Sequence, residues 1–88
     1  MPQTWAKVPR GTSDRLRACL GAENTDPKFE GCVHEIVSTH GAKVLKFHHP
    51  GHSRFSHVHF DHADDTVKSL VMADLDAEEI ENPERHVG

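Results

Sequence analysis

A chain of 88 residues supports one domain around one modest core, because short chains bury a smaller share of their surface than long ones. Apolar residues at 35% and charged residues at 27% are globular values, while a formal charge of −4 at pH 7 argues against general nucleic-acid binding, which depends on cations neutralising phosphates. The opening MPQTWAKVPRG lacks the apolar run of a signal peptide, and no stretch is long enough to span a bilayer. A cytoplasmic protein with no membrane association is therefore expected.

The alternation in QTWAKVP predicts a first strand from Gln3 to Val8, ended by Pro9. TSDRLRACLG predicts a short helix with Thr12 or Ser13 as N-cap, Leu16, Cys19 and Leu20 on one face, and Gly21 as the stop. Asp26-Pro27 starts a second helix, in which Phe29, Cys32, Val33, Ile36 and His40 keep helical spacing until Gly41. AKVLKFHH is read as a strand with Leu45 and Phe47 on one face, and Pro50-Gly51 marks a turn. RFSHVHFDH is the next strand, with Val58 and Phe60 alternating toward a core. Asp64 or Asp65 caps a third helix whose apolar stripe is Val67, Leu70, Val71 and Leu75. Residues 76–88 form either a loose acidic tail or a short edge strand.

Cys19 and Cys32 are too far apart for a Cys-x-x-Cys pair, and in an intracellular chain they are expected to be reduced core residues. Charge is unevenly spread. Lys7, Arg10, Arg15 and Arg17 outweigh Asp14 near the start, while Asp74, Asp76, Glu78, Glu79, Glu81 and Glu84 cluster near the end. A basic edge and a solvated acidic terminus within one fold account for this, with a head-to-tail contact between subunits as the alternative.

The order strand, helix, helix, strand, strand, helix, possible strand predicts a single α+β domain of ferredoxin-like type, with an antiparallel sheet and helices on one face. The stretch Lys43–Leu75, with its strand, turn, strand, Asp-Asp and helix, resembles the second half of the small dimeric α/β-barrel proteins that include GYD-type domains. That resemblance implies a homodimer formed through open sheet faces.

SHVHFDHADD carries the chemistry. If Val58 and Phe60 face the core, then His57, His59 and Asp61 share the opposite face. A preceding strand in register through Leu45 and Phe47 adds Val44, Lys46 and His48 to that face. Neutral imidazoles and a carboxylate so placed suit Zn²⁺ or another divalent metal, with His62 joining if the chain turns after Asp61. His57 to His62 also resembles the His-x-His-x-Asp-His motif of the metallo-β-lactamase superfamily, which implies His57 and His59 on one metal and Asp61 and His62 on a second. The likeness is confined to that short segment, and Asp64-Asp65 stands where that superfamily has glycines. A metal held by strand spacing alone is therefore the reading carried forward.

Other arrangements fit these residues less well. A covalent nuclease of ferredoxin-like core needs a tyrosine nucleophile, and this chain has no tyrosine. A His59–Asp61 pair could act as a general base, but no activated Ser or Cys stands beside it in the sequence. Arg10, Gly11, Thr12 and Ser13 at the start of the first helix form a candidate anion site, with an ordinary helix cap as the simpler account. The expected function is binding of a divalent metal or small polar ligand at a face made by His48, His57, His59 and Asp61, with enzymatic activity left open. The alternative is a non-catalytic dimeric interaction or regulatory module, with a protein or small-molecule partner, whose histidines are structural or respond to pH.

Overall fold

Alternation in the first segment produces a two-sided strand: Thr4, Ala6 and Val8 are buried, and Lys7 between them stays partly exposed. In the computed structural model, which describes residues 2–51 and 54–86, this strand is β1 (Gln3–Pro9), followed by α1 (Asp14–Leu20) and α2 (Asp26–Thr39). Then come β2 (Lys43–His48), β3 (Phe55–Asp61), α3 (Asp65–Leu75), β4 (Glu78–Ile80) and a single 3₁₀ turn at Pro83–His86.

The strands form one antiparallel sheet in the order β2-β3-β1-β4. The fold is α+β and ferredoxin-like, with β1 and β3 central and the helices on one face. The first and third helices are capped by expected residues, whereas α2 is capped by Thr25 and Asp26 lies in its first turn. The side chains of Ser13, Thr25 and Asp64 accept from the backbone N–H of Leu16, Lys28 and Val67, and so satisfy amides that have no partner within their helices. Gly21 and Gly41 take positive φ where α1 and α2 end, a conformation in which a Cβ would be strained.

The core lies between the sheet and the helices. Ala6, Val8, Val58 and Phe60 meet Leu16, Leu20, Phe29, Val33, Ile36, Val37, Val71 and Leu75, all buried. Leu70 departs from the expected apolar stripe: it is 48% exposed, and α3 turns Val71 and Leu75 inward instead.

Two further expectations are corrected. Strict alternation along β2 placed Leu45 in the core and Val44 outside. A bulge between Val44 and Lys46 inserts Leu45 as an extra residue, so Val44 pairs with Phe60 and is buried, while Leu45 is 41% exposed. The cysteines are not free thiols. Packing of α1 on α2 brings the Cα atoms of Cys19 and Cys32 to 5.9 Å, within disulfide range, and the two are bonded. Such bonds persist in oxidising compartments, so the cysteine argument for an intracellular location no longer stands. No helix among the described residues is long and apolar enough to cross a membrane.

The charged ends of the chain meet within the fold. Lys7 on β1 lies opposite Glu78 on β4, and Arg15 reaches Asp74 at 3.4 Å. Lys68 on α3 pairs with Glu79 at 2.6 Å, which shows that Glu79 lies on the helical side of β4.

Candidate functional site

The sheet face away from the helices carries most of the predicted ligands, and strand register arranges them in rows. Across the sheet run Lys43–Asp61–Gln3, then Lys46–His59–Trp5–Ile80, then His48–His57–Lys7–Glu78. His57, His59 and Asp61 therefore do share one face, and Lys46 and His48 join it. The bulge restores the phase of β2 after Leu45, which is why His48 still points outward.

Each histidine on this face has its own neighbour. The rings of His48 and His57 stack 19° from parallel, with their Nδ1 atoms 2.9 Å apart, so one ring donates and the other accepts. His59 instead lies flat on Trp5, whose side is thereby covered. Asp61 has one carboxylate oxygen, Oδ1, that is buried with no hydrogen-bond partner among the described residues. Lys7 places its ammonium over the Phe55 ring at 4.4 Å, below His57.

The end of the chain returns over this face. After β4, the 3₁₀ turn brings Glu84 to Lys46 at 2.5 Å, on the far side of both central strands. That contact holds the Glu84 carboxyl below the usual glutamate range. Burial lowers the basicity of His57, and the neighbouring His48 and the Lys7 ammonium push the same way. Burial also lowers that of His59, against a partial opposing pull from Glu84 and Asp61. Both rings thus favour the neutral form, the form that binds metal.

His62 faces the other way. It is 3% exposed on the helical side of the sheet, and its Nε2 lies 2.7 Å from the Thr4 hydroxyl. Its backbone N–H donates to the Pro2 carbonyl, which fixes the chain as it leaves β3. The ring's Nδ1 is buried and unpartnered among the described residues.

Among the described residues no group of three or more His, Cys, Asp and Glu side chains is arranged to hold a metal ion. The face offers a converging pair, His48 and His57, with His59 and Asp61 in successive rows beyond.

Two of the four candidate anion residues, Ser13 and Arg10, are engaged within the fold. Ser13 Oγ accepts from Leu16 N–H and donates to the Asp74 carbonyl. Arg10 extends into a network that spacing did not reveal. It pairs with Asp26, and its Nη2 donates to Ser56 Oγ at 2.9 Å and to His49 Nδ1 at 3.1 Å. Because arginine only donates, Ser56 passes its own proton toward His49 Nδ1 at 2.7 Å, and His49 Nε2–H donates to Glu30 at 2.7 Å. The arginine plane also lies over Phe29 at 4.5 Å. Although Ser, His and Glu are aligned in sequence of hydrogen bonds, Ser56 is fully buried, so its hydroxyl cannot reach a substrate. The network ties β3 and the start of the β2–β3 loop to α2. The His48-His49 doublet was its visible signal; Glu30 and Arg10, far away in the chain, gave none.

Comparison with protein-family models, with curated proteins and with solved structures finds no match to this chain.

Proposed function

We propose that the chain binds a divalent transition-metal ion, Zn²⁺ or a close neighbour in the first row, on its open sheet face, with His48 and His57 as ligands. The observation that supports this is the 2.9 Å separation of their Nδ1 atoms. Two histidine nitrogens at the usual zinc distance of about 2.0–2.1 Å stand roughly 3 Å apart, so a small ring movement replaces the shared proton by an ion. The proton moves to Nε2 of the donating ring, and both Nδ1 lone pairs are then free for the metal. Asp61 and His59, in the rows beyond on the same face, add negative charge and a third imidazole. The role proposed is one of binding, with no reaction assigned to the pair.

Calorimetric titration of tag-free protein with Zn²⁺, Ni²⁺ and Cu²⁺ tests the reading. The expected result is micromolar or tighter affinity that is lost in the His48→Ala/His57→Ala double variant, with circular dichroism unchanged. Binding of equal strength in the double variant would overturn it.

A second reading, an interaction module without metal, draws on the exposure of Leu45 on edge strand β2. It requires association in the presence of a chelator, measurable by sedimentation.

A further inference from the structure

Two imidazole nitrogens fill half of the four-coordinate shell that zinc takes in structural sites. Nothing else among the described side chains converges on the pair to fill the rest. His48 is exposed and stands on edge strand β2, so the pair can be approached by a second molecule from that edge. We propose that a second copy of this chain completes the site, with His48 and His57 of two protomers forming one four-histidine metal centre on a twofold axis. The inference rests on the metal-binding reading above and adds the partner to it.

A twofold contact needs a patch that complements itself, and a pair of neutral donors doubled about an axis meets that condition with one shared cation. Charge points the same way. Each chain carries a formal charge of −4 at pH 7, so two copies repel, and a divalent cation held between them removes part of that repulsion. The geometry also limits how the copies meet. The Glu84–Lys46 contact lays the end of the chain across the middle row of the face, so close approach is left to the corner at His48 and His57. The bulge at Leu45 interrupts the β2 edge ladder, which disfavours joining the copies by strand addition. Leu45, exposed on the same edge strand three residues before His48, adds apolar surface to that edge.

The test is sedimentation velocity of the full, tag-free chain during stepwise addition of Zn²⁺, with bound metal counted after desalting. The expected result is conversion from monomer to dimer complete at about half an equivalent of Zn²⁺ per chain and reversed by a chelator. Co²⁺ in place of Zn²⁺ should give the intense visible absorption of a four-coordinate ion only when the dimer forms. Leu45→Glu, which leaves all ligands in place, should weaken zinc-driven dimerisation at least tenfold. One equivalent bound by a chain that stays monomeric would overturn the shared centre while leaving metal binding intact. A dimer that forms with chelator present, or that survives in the His48→Ala/His57→Ala variant, would also overturn it. No metal binding at all would remove the earlier reading, and the shared centre with it.

Discussion

The indole of Trp5 and the imidazole of His59 lie face to face on neighbouring central strands, with 4.6 Å between ring centroids and 3° between planes. Trp5 is only 7% exposed although it lies on the face opposite the helical core. The stack sits one row away from the His48–His57 pair, so this part of the open face is covered by an aromatic contact.

Aromatic pairs of this kind contribute about 0.5–1.5 kcal/mol beyond the area they bury. His59→Ala is expected to lower unfolding free energy by about 1–2 kcal/mol, read in urea with Trp5 emission as the probe. His59→Phe should restore most of it. Equal loss in both variants would show that the stack contributes nothing.

Stability should fall as the medium is acidified below neutrality. Both His57 and His59 are less basic in the folded chain than free imidazole, chiefly through burial. The unfolded chain therefore takes up protons first, near the ordinary value of about 6.5, and each added proton favours unfolding. Their contribution is fully present above that value and is lost as pH drops through their lowered folded values. Asp26, held low by its hydrogen bond to Arg10, and Glu84, held low by Lys46, lose their contributions further down, in the carboxylate range. Melting temperature measured from pH 7.5 to pH 5 should decline, and His57→Gln/His59→Gln should flatten that slope. A flat profile in the unsubstituted protein would contradict the assignment.

Thiol titration of unfolded, non-reduced protein should find no free cysteine, because Cys19 and Cys32 are bonded. Closing a loop of this size removes unfolded-state entropy, so reduction should cost about 3 kcal/mol. Two free thiols in protein purified without reductant would reject the bond.

Removing the arginine from its network should be more costly than an exposed ion pair would suggest. Arg10 serves Asp26, Ser56 and His49 together and covers Phe29. Arg10→Met keeps the packing stem but leaves the buried Ser56 hydroxyl one donor short, for an expected loss of about 1–3 kcal/mol. Ser56→Ala in that background should add little more, since the two act through the same contacts; a double-mutant cycle that proves additive would reject the coupling.

Phe60 is fully buried on the helical side of β3, between His59 and Asp61 in the chain. Phe60→Ala should cost about 3–5 kcal/mol, while Asp61→Asn, on the open face, should change stability far less. Comparable losses would mean that the two faces of β3 are not distinct.

What was legible in the sequence is what depends on neighbours along the chain. Alternation in FSHVHFD placed Val58 and Phe60 inside and His57, His59 and Asp61 outside, because strand side chains must alternate. His62, expected to join the outer face by a turn after Asp61, instead stays buried on the helical side against Thr4. Ser13, Asp26-Pro27, Asp64 and the glycines at 21 and 41 marked the helix ends, because free backbone amides and carbonyls need local partners. Tertiary structure alone decided matters that join distant residues. The bulge that exchanges Val44 for Leu45 depends on how β2 registers with β3. The Cys19–Cys32 bond depends on the packing of α1 against α2. The alignment of Arg10, Ser56, His49 and Glu30 draws on the turn after β1, on β3, on the β2–β3 loop and on α2 at once. The pairing of His48 with His57, rather than of His57 with His59, follows for the same reason: residues two apart on one strand lie about 7 Å from each other, whereas residues opposite on neighbouring strands lie about 5 Å apart and can touch.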